Sequence, residues 1–510
     1  MKSKRRYLWN ALLLTAVTLL MRTVSVGFNV YISNRVGAEA MGLLSLVGSV
    51  YGFAVTLATS GIHLATVRTV ATHLERTQNG DTGRVLRACI RYALCFGSLA
   101  TALLLLLSRS ISLGILRDAR TLTALRMLAL TLLPIALTSV LNGYFTAVRR
   151  AWKNALAQVS EQALKITLTC YLLVAVAPKS IEGSMLAILL GGAVSESFSL
   201  VLNTALYLYD KHRHRAKSSA CTSERPRVAA IALPVAVSAY ARSGLLAIEH
   251  ILIPRGLLTY GAGNAAALAA YGTLHGMALP VVLYPAAILS SFSALLIPEI
   301  TEQESAGNRT EIRYIAGRAY QLTLLFSLGV SGIMLLFSGA LGQALYGSGE
   351  AASYIRLLAP LIPIMYLDTA TDALLKGLGQ QVYSMNVNII DALISVICVA
   401  LLVPRMGIAG YLVTIYVTEI FNATLSMARL LRVSGFRPRI GKLLLRPLLA
   451  VAGAVAVARI VFVFCPTLTD AALAIRIAAV SLLYALLVFL LGGFGKKDTD
   501  WLLSSLMGRG

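Results

Sequence analysis

The segment Leu8–Gly37, LWNALLLTAVTLLMRTVSVGFNVYISNRVG, decides how the chain is read. It is apolar for long enough to cross a bilayer, which takes about 20 residues, yet Arg22 falls near its middle. A charge at that depth costs about 2.5–3.5 kcal/mol on insertion scales, so such residues face a polar interior and mark a pathway. The competing reading is an arginine that snorkels to the interface or pairs locally. The pathway reading makes a demand on the rest of the chain, which must supply walls around the charge.

Composition meets that demand. Of the 510 residues 57% are hydrophobic and 13% charged, with a mean hydropathy of +0.76. Soluble domains carry about 25% charged residues, so this is an integral membrane protein. The formal charge of +23 does not point to nucleic acid, because the basic residues sit in short clusters between apolar runs. Clusters of that kind are the mark of cytoplasmic loops. Six cysteines are scattered without CxxC or Cys/His spacing, so neither a metal nor a cofactor is expected. The opening MKSKRRYLWN resembles the charged region of a signal peptide. The apolar run behind it is too long, and another span follows at once, which predicts an uncleaved first helix.

Apolar runs near 8–33, 40–62, 88–108, 121–147, 153–177, 181–209, 227–253, 267–296, 313–338, 353–375, 382–403, 408–431, 443–465 and 470–492 predict an all-α membrane protein of about 14 transmembrane helices. The connectors are too short to hold a soluble domain. Lys2, Lys4, Arg5 and Arg6 mark one side, which also receives Arg149, Arg150 and Lys153, the 211–227 connector, and Lys496 and Lys497. That side is the cytoplasm by the positive-inside rule, with both termini inside. Arg109, Arg117 and Arg120 on an outer connector are the local exception.

The longest polar break, KHRHRAKSSACTSERPR at 211–227, follows the sixth span. A second half starting there has the orientation of the first, which invites a search for a parallel repeat. Arg22 and Arg35 are 13 residues apart, and so are Arg242 and Arg255. Ser60 aligns with Ser290, and Gln158 and Glu161 fall on Asn388 and Asp391 at an offset of 230. Ile181-Glu182-Gly183 matches Ile408-Ala409-Gly410. The ordered set describes two pseudo-symmetric six-helix lobes, 1–215 and 227–431, joined by a cytoplasmic linker at 216–226. A C-terminal helix pair (432–495) and a cytoplasmic tail (496–510) follow, the tail offering Trp501 to the headgroup layer.

Arg22 in the first span followed by Arg35-Val36-Gly37-Ala38-Glu39-Ala40-Met41-Gly42 is one signature. Tyr271-Gly272 leading to Met277-Ala278-Leu279-Pro280 and Leu296-Ile297-Pro298-Glu299 is a second, and Gly377-Leu378-Gly379-Gln380 a third. With the two-lobe pattern, these make nearly the whole chain resemble the multidrug/oligosaccharidyl-lipid/polysaccharide exporter superfamily. The nearest branch is the polysaccharide flippases of the stage V sporulation protein B type. The resemblance implies alternating access by two lobes around a central cavity, which in the peptidoglycan-precursor branch is cationic and depends on arginines. Arg22 and, through the repeat, Arg242 sit where such residues are expected, with Arg68 as a third candidate.

The chemistry of these residues suits that expectation. A lipid-linked sugar carries a phosphate or diphosphate, and arginine presents a permanently charged planar fork to phosphate oxygens. Lys165 adds charge, unless it pairs with Glu161 one turn earlier. Gln158, Glu161, Asn388 and Asp391 place amides and carboxylates on helix faces, where they contact sugar hydroxyls or, as a competing reading, bond neighbouring helices. Glu249, Asp368 and Asp372 are candidates for coupling to a proton or sodium ion, alongside the membrane potential. The expected partners are thus an anionic lipid-linked glycan and membrane lipids, with the protein a monomer in the bacterial cytoplasmic membrane. The alternative on the same fold is a cation-coupled multidrug antiporter of the MATE type, in which an aspartate often occupies the first span where this chain has Arg22. A membrane glycosyltransferase needs catalytic carboxylates on a sizeable outer loop. The first outer connector offers only Glu39, so no enzymatic activity is expected.

Overall fold

The computed structural model describes residues 2–77, 82–175, 180–213, 228–436, 438, 441–464 and 472–493. The expected linker at 216–226 and tail at 496–510 lie outside the described residues, as does Trp501. Among the described residues the chain is all-helical, with 93% of them in helices and no strand.

In chain order the α-helices are α1 (Lys2–Thr59), α2 (Ile62–Thr77), α3 (Gly83–Arg109), α4 (Thr121–Ala147), α5 (Ala151–Ala175), α6 (Ile181–Arg213) and α7 (Val228–Tyr260). Then come α8 (Asn264–Tyr271), α9 (Leu279–Leu283), α10 (Ala286–Ser305), α11 (Arg309–Tyr346), α12 (Gly349–Leu358) and α13 (Ile362–Gly377). The last are α14 (Gln381–Met406), α15 (Ile408–Ser434), α16 (Arg446–Phe464) and α17 (Leu473–Leu490). Twelve described stretches are long and apolar enough to cross a membrane. The first, Leu19–Leu74, holds two expected crossings, and the more polar α5 is not among the twelve, so fourteen is an approximate count.

Four expected spans differ from simple rods, each for a local reason. Spans one and two are the two helical parts of α1, which meet at a kink at Gly37, where φ 82° and ψ 173° suit only glycine. The eighth span is broken. A π-helical turn at Gly272–Ala278 separates α8 from α9, and Pro285 caps the start of α10. The tenth is divided into α12 and α13 by a 3₁₀ turn, Ala359–Leu361, around Pro360.

Compact packing groups the chain into two units that do not follow chain order. One comprises Met1–Thr15, Arg22–Ala38 and Ala269–Gly510, and the other Ala16–Met21 and Glu39–Leu268. The latter part of the first span, from Arg22, therefore packs with second-half helices, while α7 packs with first-half helices. In the first of these units the C-terminal pair α16 and α17 lies against α11. Leu325, Ala450 and Val488 form one buried cluster there, and Phe337, Ala458 and Val480 another. Tyr484 closes the contact by donating to the Leu325 carbonyl at 2.7 Å.

The repeat is visible in the backbone itself. Arg117 (φ 55°) and Gly347 (φ 60°) are left-handed residues 230 positions apart, and so are Arg149 (φ 58°) and Gly379 (φ 70°). The offset is the one that carries Glu161 onto Asp391. The second half uses glycine at both turns, whereas the first half forces arginine into a conformation that crowds its Cβ. A Cβ at Gly379 meets nothing within 4 Å, so Gly379→Ala carries backbone strain alone. It is expected to lower stability by about 1–2 kcal/mol, while Arg149→Gly shifts it by under about 1 kcal/mol because strain relief is offset by a freer unfolded chain. Thermal unfolding of the detergent-solubilised variants checks both.

Candidate functional site

Arg22 lies on an exposed face of α1. The segment around it is held by second-half groups within its own unit. Thr23 Oγ1 and the Tyr284 hydroxyl are 2.8 Å apart, and Asn34 Nδ2 donates to the Leu345 carbonyl at 2.7 Å. Tyr366, whose hydroxyl donates to the Val282 carbonyl at 2.8 Å, is near enough to feel the Arg22 charge. Among the described residues the Arg22 guanidinium makes no hydrogen bond or ion pair.

Arg242 is equally exposed, on α7 in the other unit. Here α7 is fastened to the second part of α1: Thr56 Oγ1 donates to Ser243 Oγ at 3.1 Å, and the Ser60 and Tyr240 hydroxyls are hydrogen-bonded. Tyr92 adds a bond from its hydroxyl to the Ser60 carbonyl at 3.2 Å. Further along α7, Arg255 donates to the carbonyls of Gly114 at 2.9 Å and Ile115 at 2.5 Å. Arg68, on α2, is exposed. Like Arg22 and Arg242, it has no carboxylate partner among the described residues.

Two groups of intramembrane carboxylates stand apart from the arginines in sequence, one in each unit. In the unit of α4–α6, Glu196 on α6 feels the charges of Glu161 and Lys165 on α5. Tyr51, hydrogen-bonded to Thr131 at 2.5 Å, lies in the field of both carboxylates. Lys165 and Glu161 make no direct ion pair, and both act on Glu196 across the helix pair. Gln158, three residues before Glu161, is exposed. In the other unit Glu419 on α15 feels Asp368 and Asp391. Asn422 Nδ2 donates to Asn388 Oδ1 at 3.2 Å, tying α15 to α14, and Tyr320 meets Thr371 at 2.6 Å beside Asp368. Asp372 is occupied: Lys376 Nζ lies 2.5 Å from its carboxylate, and Ser384 Oγ donates to it. Glu249, on α7, is buried. Tyr51, Thr131, Tyr240 and Tyr284 escape a search for charged residues, since a lone hydroxyl in an apolar span is not distinctive.

Two of the basic clusters used for orientation are local structures. Lys153 is 3% exposed, with Nζ 2.7 Å from Asp210 Oδ1, and Arg150 pairs with the same carboxylate. Lys153 also lies over the rings of Phe145, Trp152 and Tyr209 at 5.3–5.8 Å. On the connector between α3 and α4, Arg120 is bound by Asp118 at 2.6 Å and Glu39 at 3.0 Å, which hold its guanidinium above the ordinary arginine range.

The helical fold is shared with solved membrane proteins. The solved structure of the lipid II flippase MurJ in an inward closed conformation has the same fold, with a TM-score of 0.68 at 11% identity, covering 96% of this chain and all of that one. An inward-facing multidrug resistance MATE family transporter of the MOP superfamily aligns with a TM-score of 0.63 at 14% identity, over 82% of this chain and 98% of that one. The chain is a membrane transporter of the multidrug/oligosaccharidyl-lipid/polysaccharide superfamily. More particularly, it belongs to the family described as Polysaccharide biosynthesis protein, whose model matches residues 7–298. Stage V sporulation protein B of Bacillus subtilis (strain 168) is 27% identical over 437 residues, covering 83% of this chain and 84% of that relative. Lipid II flippase MurJ of the same organism is 24% identical over 436 residues, covering 78% and 77%.

Asp210→Asn leaves the buried Lys153 uncompensated. Breaking a buried pair from one side costs about 3–5 kcal/mol, so the variant is expected to lose that much stability, and Lys153→Met combined with it to recover part of the loss. Chemical denaturation of single and double variants measures the coupling.

Proposed function

We propose that the protein flips a lipid-linked oligosaccharide, or another polysaccharide or cell-wall precursor, across the bacterial cytoplasmic membrane by alternating access. Its arginines hold the phosphate or diphosphate of the headgroup. The observation that carries the reading is the exposure of Arg22 and Arg242 in apolar helices, with no carboxylate partner among the described residues. An unneutralised guanidinium in a low-dielectric setting is a strong site for phosphate oxygens. One arginine belongs to each compact unit. Arg68 and Lys165 are assigned to the same cationic surface. Gln158, Glu161, Asn388 and Asp391 are assigned to sugar hydroxyls, and the names of the relatives support a lipid-linked substrate.

Coupling to a proton or sodium ion falls to Asp368, with Glu249 in the other unit. Asp372 is a poorer candidate because Lys376 already neutralises it. The two compact units are the moving bodies, both termini face the cytoplasm, and a monomer is the working unit. The MATE-type antiporter reading draws on the carboxylates Asp368, Asp391 and Glu419, which share one field. It requires drug efflux driven by an imposed cation gradient.

Losing a charge-assisted hydrogen bond removes about 1.5–3 kcal/mol of binding, or roughly ten- to a hundredfold in affinity. Purified Arg22→Ala is therefore expected to fold and insert but to flip fluorescent lipid-linked oligosaccharide in liposomes at least about tenfold more slowly at subsaturating substrate. Flipping at the parent rate contradicts the proposal.

A further inference from the structure

Each candidate arginine is followed by a hydroxyl, Thr23 after Arg22 and Ser243 after Arg242. Each of those hydroxyls bonds to a helix of the opposite sequence half. Thr23 Oγ1 meets the Tyr284 hydroxyl at 2.8 Å at the junction of α9 and α10, in the eighth span. Ser243 Oγ accepts from Thr56 at 3.1 Å, in the second span. Thr23 and Ser243 are 220 residues apart, the offset that relates Arg22 to Arg242. Thr56 and Tyr284 lie within two residues of the register that pairs Ser60 with Ser290. The two contacts are thus one contact repeated, each formed wholly inside one compact unit.

From this repeated juxtaposition, and resting on the anion-binding reading above, we propose that Thr23 and Ser243 are positioning residues that fix the rotation of α1 and α7 and so aim Arg22 and Arg242. Successive residues of a helix point about 100° apart. Tying the residue after each arginine to a neighbouring helix therefore limits the rotation open to the arginine, on α7 through the half-buried Ser243 and on α1 through Thr23, which is exposed like Arg22 itself. On α7 the Ser60–Tyr240 bond reinforces this, since Tyr240 and Ser243 are three apart and share a face. Phe53 fills the space beside Gly244, where a Cβ would stand 3.4 Å from its ring, so the helix is held on both sides of Arg242. Both guanidiniums are left exposed, as this arrangement requires. The staple does not touch the headgroup: removing its hydroxyl lets the arginine wander without deleting it.

The test measures the Kd of a fluorescent short-chain polyprenyl diphosphate for the full-length protein in nanodiscs by anisotropy, with thermal unfolding in parallel. Thr23→Val and Ser243→Ala are each expected to raise Kd about fivefold, while Thr23→Ser and Ser243→Thr restore it to near the parent value. Tyr284→Phe removes the oxygen on the far side of the first staple. It is expected to behave as Thr23→Val does, and it carries the test if Thr23→Val does not fold. Parent-like Kd values in Thr23→Val, Tyr284→Phe and Ser243→Ala, beside a raised Kd in Arg22→Ala and Arg242→Ala, overturn the positioning role and leave the anion site standing. No binding by the parent, or binding indifferent to both arginine substitutions, overturns both.

Discussion

A guanidinium inside an apolar helix must be answered by something. Arginine does not shed its proton in proteins, so it cannot escape the cost of low dielectric by titration as lysine or glutamate can. The remaining answers are snorkelling to the interface, a carboxylate partner, water in a cavity, or an anionic ligand. Elsewhere this chain supplies carboxylates freely: Arg120 has Asp118 and Glu39, and Arg150 and Lys153 have Asp210. At Arg22 and Arg242 it supplies hydroxyls to the flanking residues instead. There the neighbouring residue is tied to another helix, and the arginine has no carboxylate partner among the described residues.

The same economy explains the exchange of segments between the compact units. Arg22–Ala38 packs with the second half and α7 with the first, and the hydroxyl contacts of Thr23, Thr56, Ser60 and Tyr240 are among the bonds that hold them there. In hydrocarbon there is little hydrophobic gain in packing helix against helix. Small residues and interhelical hydrogen bonds therefore do much of the selecting. Gly37, in a backbone state open only to glycine, turns α1 at the boundary where it passes from one unit to the other.

Much of this was legible in the amino-acid sequence, because lipid imposes a simple grammar. Every span must be a run of about 20 apolar residues, and a charge inside one stands out. Arg22, Arg242 and the 230-residue offset are visible for that reason, and the offset reappears in the left-handed pairs Arg117/Gly347 and Arg149/Gly379. Less legible were the breaks at Gly272–Ala278 and Ala359–Leu361, which depend on where proline falls within a turn. Least legible were Tyr240, Tyr284 and Thr56, whose side chains look like ordinary span residues until three-dimensional packing joins them to Ser60, Thr23 and Ser243. Lys153 shows the opposite failure. It sits in a basic cluster that reads as a solvated loop, but the aromatic rings of Phe145, Trp152 and Tyr209 and the carboxylate of Asp210 bury it.

The central claim is that an anionic headgroup meets these arginines, and photocrosslinking tests it most directly. A polyprenyl-diphosphate oligosaccharide bearing a photoreactive group next to its diphosphate is added to the full-length protein in nanodiscs, and the adducts are mapped by peptide mass spectrometry. The account predicts adducts in the α1 peptide around Arg22 and in the α7 peptide around Arg242, suppressed by excess unlabelled lipid. Adducts confined to other helices, or insensitive to that competition, would contradict it.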